Sequence, residues 1–167
     1  MKPSPLVIGQ LNDQIHAELS SFYKYLGMAA YCDREKYHGT AYWLRLQSQE
    51  EFGHAMRLYG FLVSRDCPVE LRELEAPSAH YKSLTEIFEV SLRQEQEISE
   101  QINQLYKTAL SENAFATSVE LQWFLSEQVE EEKSVRDLVF QLHKIKDDPA
   151  ALLDFDARLG QRTAEAT

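Results

Sequence analysis

A chain of 167 residues in which 44% are hydrophobic is long enough to bury one sizeable core. Its 17 Lys and Arg against 27 Asp and Glu leave a net charge of −10, which excludes nucleic acid as the main ligand, since phosphate binding needs a basic face. No run is apolar enough to cross a membrane, and the six Gly and five Pro point to helices rather than sheets. Acidity suits a protein that handles cations, although solubility alone is its commoner cause. Cys32 and Cys67 have neither metal-ligand spacing nor the number for a disulfide framework. With no leader segment in the pattern, a reducing cytoplasm is the expected compartment.

The first helix starts with Ser4 as N-cap and Pro5 at the first helical position. Its inward set is Leu11, Ile15, Glu18, Phe22, Tyr25, Ala29 and Cys32, in steps of three and four. The short polar stretch from Asp33 to Gly39 returns a second helix antiparallel beside it, from about Thr40 to Ser64. Leu44, Gln47, Glu51, His54, Leu58 and Phe61 share its inner face, so the Glu51-x-x-His54 pair projects where a core belongs. Gly53 inside this helix costs about 1 kcal/mol against alanine, which a close helix contact would explain.

Pro68 ends the second helix, and the stretch to about Ser83 shows little helical periodicity. Such a connection is long enough to run the length of a bundle, so the third helix can start at the opposite end. Ser83-Leu84-Thr85-Glu86 is a capping box for that helix, whose inner line is Phe88, Leu92, Glu95, Ile98 or Ser99, Ile102 and Leu105. A short turn over Ser111 to Asn113 leads to a fourth helix, starting near Ala114 or at Thr117. Its seam is Phe124, Gln128, Glu131, Val135, Leu138 and Leu142. Asp148 and Pro149 open a short fifth helix closed by Gly160, and the residues beyond read as a frayed tail. The fold expected is all-α: an antiparallel four-helix bundle with one long crossover, plus a short fifth C-terminal helix, in a single domain over residues 1–167.

Each of the four long helices thus brings a carboxylate inward: Glu18, Glu51, Glu95 and Glu131, with His54 and Gln128 beside them. An unpaired buried carboxylate costs several kcal/mol even after relaxation. Four would exceed the roughly 5–15 kcal/mol net stability of an ordinary domain. No Lys or Arg lies on the inner set within a turn of them. Protonation relieves one or two; two divalent cations balance all four. Carboxylates with one imidazole and no thiolate suit iron or manganese, and zinc less specifically.

The pattern of Glu18 with Tyr25, Glu50-Glu51-x-x-His54, Glu95 and Gln128-x-x-Glu131 resembles the prokaryotic non-haem ferritins. The segment Leu121-Gln122-Trp123-Phe124-Leu125-Ser126-Glu127-Gln128, followed by Glu130-Glu131-Glu132-Lys133, carries the likeness most strongly, and it spans all five helices. The resemblance implies a ferroxidase centre. Glu18, Glu51 and His54 would hold a first iron, with Glu51 bridging. Glu95 and Glu131 would complete a second site with Gln128 beside it, near dioxygen. Glu50, Glu127 and Glu130 match a third iron site facing the inside of a shell, and Tyr25 matches a tyrosine that can supply an electron. Trp123 is expected to pack near the centre. The same resemblance implies a cytoplasmic homo-oligomer, a hollow shell of twenty-four subunits, with the short helix after Pro149 lining its four-fold axes. Its substrates would be Fe(II) with dioxygen or hydrogen peroxide, its product a hydrous ferric oxide mineral; neither nucleic acid nor membrane is implied.

Departures from relatives narrow the reading. Bacterioferritins and many di-iron oxygenases carry a second Glu-x-x-His, where this chain has Gln128-Val129-Glu130-Glu131. The second iron should therefore be held more weakly, which favours passage to a mineral. Phe52 stands where the haem-ligating methionine of bacterioferritins falls, so no haem is expected. Two cysteines leave no rubrerythrin-type metal domain, and the intra-subunit ligand set and non-helical crossover depart from the DNA-protecting mini-ferritins. Two other functions fit the residues less well. One is a di-iron oxidase or oxygenase for an organic substrate, the other an iron-buffering subunit with little oxidation activity. His16, His38, His80 and His143 share no metal-ligand spacing.

Overall fold

The computed structural model describes residues 2–163 and consists, over that range, of helices and connections without a strand. The helices are α1 (Pro5–Arg34), α2 (His38–Ser64), α3 (Leu84–Ser111), α4 (Phe115–Ile145) and α5 (Pro149–Leu159). The expected bundle is the one found. α1 packs along α2 and α3 along α4; α1 also meets α3, and α5 closes one end against α2 and α4.

Three starts are capped as the sequence predicts. Ser4 Oγ accepts from Val7 N, Ser83 Oγ from Glu86 N, and Asp148 from the amides of Ala150 and Ala151. The box at Ser83 is closed unusually, because the Glu86 carboxylate accepts from Lys82 N, one residue upstream of the cap. α2 begins at His38, two residues before the expected Thr40, and α4 at Phe115 with Ala114 as N-cap. Neither has a side-chain cap of its own, and Thr117 is a buried first-turn residue rather than a cap. At α2 the missing cap comes from elsewhere. Asp156 of α5 accepts from Gly39 N at 3.1 Å, Thr40 N at 2.7 Å and the Thr40 hydroxyl at 2.8 Å. The backbones meet so closely here that a Cβ on Gly39 would lie 1.9 Å from the Asp156 carbonyl oxygen.

The crossover between α2 and α3 runs along α1 for most of its length. Asn12 holds its start, donating to Pro68 O and accepting from Glu70 N, and Arg72 pairs with Asp13 at 2.7 Å. Farther on, Pro77 fills the space a side chain at Gly27 would need, Ala79 O accepts from Arg34, and Tyr81 packs edge-on against Tyr31. The connection therefore spans the bundle as its length predicts, and α3 starts at the far end.

The interior is divided into two apolar cores. One is built around Tyr25, Leu44, Phe88, Val135, Leu142 and Phe155; the other around Leu11, Ile15, Leu58, Ile102, Leu121 and Phe124. Between them lies a buried polar layer. The inward sets hold with local shifts: Phe22, Phe61, Leu92 and Leu138 are half-buried at the edge, while Ser21, Met28, Leu62 and Ser91 lie deeper.

Candidate metal centre

The polar layer consists of Glu18, Gln47, Glu51, His54, Gln94, Glu95, Gln128 and Glu131, each at most 7% exposed. Glu18 comes from α1, Glu51 and His54 from α2, Glu95 from α3, Gln128 and Glu131 from α4. The three- and four-residue steps that carry the apolar seams also carry these groups, so each enters the layer in register with its helix neighbours. Carboxylates at mid-helix on four antiparallel elements meet at one level.

Two groups bring ligand atoms within 4.8 Å of one another: Glu18, Glu51 and His54, and His54, Glu127 and Glu131. His54 Nδ1 lies 3.7 Å from Glu18 Oε2 and 3.7 Å from Glu51 Oε2, too far for a hydrogen bond. Glu18 Oε2, both Glu51 oxygens and His54 Nδ1 are buried with no hydrogen-bond partner. Four such atoms in a dry interior are costly unless a cation takes them as ligands. Hard oxygen donors with one imidazole are a fit for ferrous iron.

Glu95 belongs to neither group. It accepts from the Tyr25 hydroxyl at 2.5 Å and from Gln128 Nε2 at 3.3 Å. Gln128 also donates to Glu95 O at 3.2 Å, so α4 and α3 are stitched at this level. Two amides with no assigned role are part of the same layer. Gln14 donates to Glu18 Oε1 at 2.8 Å and Gln47 to Glu131 Oε2 at 2.6 Å. Gln47 was visible on the inner face of α2; Gln14 stands four residues before Glu18, a spacing that places it on the same face.

The three residues matched to a third site are not gathered together. Glu127 joins His54 and Glu131, Glu130 is exposed, and Glu50 is engaged by Arg162. The tail after Gly160 is therefore not frayed throughout: Arg162 Nη2 reaches both carboxylate oxygens of Glu50, and the guanidinium stacks over Trp43. Residues 164–167 lie outside the described range. Gly53 has open space where a side chain would go, so no close helix contact explains it. Trp123 packs edge-on at 5.3 Å from His54, with the Arg57 guanidinium over its other side. His38 pairs with Asp33 and His143 with Glu89, away from the centre.

Without a cation among them Glu51, His54 and Glu131 favour their protonated forms. Burial works to lower the His54 pKa, but the Glu18 and Glu51 carboxylates outweigh it and push it up to about 11. Burial, then the charge of Glu95, holds Glu51 well above the usual carboxylate range. Burial raises Glu95 to about 7 against the opposing hydrogen bonds from Tyr25 and Gln128. Glu131 rises to about 8 through burial, then Glu95 and Glu50. Tyr25 is raised by burial and by Glu95 beside it. A divalent ion entering the layer displaces these protons.

Residues 8–145 match the ferritin-like domain. The chain belongs to the ferritin family. It is 39% identical over 153 residues to the bacterial non-heme ferritin of Staphylococcus aureus, covering 92% of each chain. Among solved structures it is similar to the open-pore ferritin of the archaeon Archaeoglobus fulgidus, with a TM-score of 0.94, 39% identity and coverage of 96% of this chain and 98% of that one. A humanized archaeal ferritin gives a TM-score of 0.96 at 37% identity, over 98% and 99%. Iron storage of the non-heme ferritin kind is the function these relationships support.

Proposed function

We propose that this ferritin is a ferroxidase whose single domain oxidises Fe(II) at a pair of sites inside each subunit and passes Fe(III) to a mineral held in a shell of twenty-four copies. The observation that carries the reading is the set of unpartnered buried atoms on Glu18, Glu51 and His54, held between two apolar cores. Iron is the substrate here. Glu18, Glu51 and His54 take one Fe(II); Glu131 and Glu95 take the second, with Glu51 between the two and Glu127 close to the His54 side.

The chain's own residues do four things. The carboxylates and imidazole give up protons as the ions arrive, keeping the layer near neutrality. The apolar cores above and below fix the helices so that the two ions lie close enough to deliver their electrons together. Each Fe(II) gives one electron, and the pair supplies the two that dioxygen needs, with two protons, to become hydrogen peroxide, or that hydrogen peroxide needs to become water. Tyr25, buried beside the pair, directs its hydroxyl proton at the Glu95 carboxylate and so orients that ligand. Gln128, engaged with Glu95 rather than aimed as a strong ligand, leaves the second ion weakly held and free to move on.

Oxygenation of an organic substrate would call for an apolar pocket at the metals. A cleft of about 920 Å³ between α1 and α3 is lined by groups that include the polar Asp13, Gln14, Glu97 and Glu100. The test is aerobic loading of the purified assembly with a large excess of Fe(II), followed by size-exclusion chromatography with iron detection. Hundreds of irons eluting with a particle of twenty-four subunits support storage. A monomer or dimer that turns over no excess iron overturns it.

A further inference from the structure

Glu50 stands next to the bridging Glu51, yet its carboxylate is not left to iron. Arg162 Nη2 lies 2.9 Å from Glu50 Oε1 and 2.7 Å from Oε2. Its other terminal nitrogen donates to Gln47 Oε1 at 2.9 Å, and the Gln47 amide nitrogen in turn donates to Glu131 Oε2 at 2.6 Å. The guanidinium also lies 4.8 Å from the centre of the Trp43 ring. Both members of the ion pair are largely shielded, at 21% and 19% side-chain exposure. One cation, carried on a chain segment distant in sequence, thus touches the centre through two separate residues.

We infer that Arg162 is a tethered positive charge that governs the third acidic site, holding Glu50 out of iron's reach and aiming Gln47 at Glu131. The inference rests on the ferroxidase reading above. One guanidinium nitrogen straddles both oxygens of Glu50, so an ion that uses Glu50 must first displace the arginine. A divalent ion beside Glu127 and Glu131 also feels the guanidinium's charge across the short path through Gln47. The arm is anchored at its base: α5 is fixed by Asp156 on the start of α2 and by Phe155 against Phe88. Beyond Leu159 the backbone leaves the helix in a turn that Arg162 N closes by donating to Leu159 O. Arg162 is a positioning residue, and it works by filling an acidic site with a charge of the same sign as the substrate's.

The experiment is anaerobic equilibrium dialysis of Fe(II) against the assembled full-length protein, counting ions per subunit. Wild type should take one ion tightly, a second more weakly and a third most loosely. Arg162→Gln should tighten the third by about tenfold and leave the ion held by Glu18, Glu51 and His54 unchanged. Arg162→Lys, which keeps the charge, should stay within about twofold of wild type, and adding Glu50→Gln to Arg162→Gln should abolish the gain. A third ion bound equally by wild type and Arg162→Gln, with the first two in place, overturns the inference alone. A wild type that takes no pair of ions sensitive to Glu51→Ala overturns the ferroxidase reading, and this inference with it.

Discussion

The Tyr25 hydroxyl donates to Glu95 Oε1 across the α1–α3 contact at 2.5 Å, with both side chains wholly buried. This bond opposes the burial that raises the Glu95 pKa to about 7, because it stabilises the carboxylate over the acid. Tyr25→Phe keeps the ring and removes the donor. Glu95 should then hold its proton to higher pH, so the pH profile of Fe(II) oxidation should shift upward and the rate near neutrality fall severalfold. Stopped-flow absorbance across pH checks this, and an unshifted profile would show that the bond does not tune Glu95.

The same raised pKa values set a sign for stability. Glu95 and Glu131 titrate near 7 and 8 when folded, against an ordinary value of 4.5. The folded state therefore binds more protons than the unfolded one between these limits. Their contribution is full below the ordinary value and is lost as pH rises through 7 and 8. His54, raised from 6.5 to about 11, acts in the same sense at higher pH. The metal-free protein should lose on the order of several kcal/mol between about pH 5.5 and pH 8.5, seen as a falling thermal midpoint. Adding Zn(II), which cannot be oxidised, should flatten that slope. A midpoint that rises with pH in the absence of metal would contradict the placement of these carboxylates in a dry layer.

Asp156 supplies the cap that α2 lacks, so α5 and the start of α2 should loosen together. Asp156→Ala removes three acceptor contacts and should cost about 1–3 kcal/mol, with loss of amide exchange protection over Gly39 to Ala41 and along α5. Asp156→Asn, which keeps an oxygen, should cost less. Hydrogen exchange read by mass spectrometry separates the two, and unchanged protection in Asp156→Ala would remove the capping role.

The helices and the crossover were legible because apolar steps of three and four residues and the proline at 68 are local signals. The central carboxylates were legible for a related reason: each interrupts an apolar seam, and a charge in a seam announces itself. What escaped were contacts made across the chain. Nothing near Glu50 marks Arg162, 112 positions away, as its partner, and nothing near Thr40 marks Asp156, 116 positions away, as its cap. The engagement of Glu50 by Arg162, beside the acids Glu127 and Glu130, escaped for that reason. Helix spacing places them on neighbouring faces, but the partner each one finds depends on what folds over it. Gln14 and Gln47 were overlooked as active members because an amide in a seam looks like packing until its donor is seen on a carboxylate.

The most direct measurement is anomalous diffraction at the iron edge from crystals soaked with Fe(II) without oxygen. Two peaks inside each subunit are expected, one among Glu18, Glu51 and His54 and the other among Glu51, Glu95 and Glu131, with ligand distances near 2 Å. An interior free of iron, with peaks confined to surface carboxylates such as Glu130, would contradict the account.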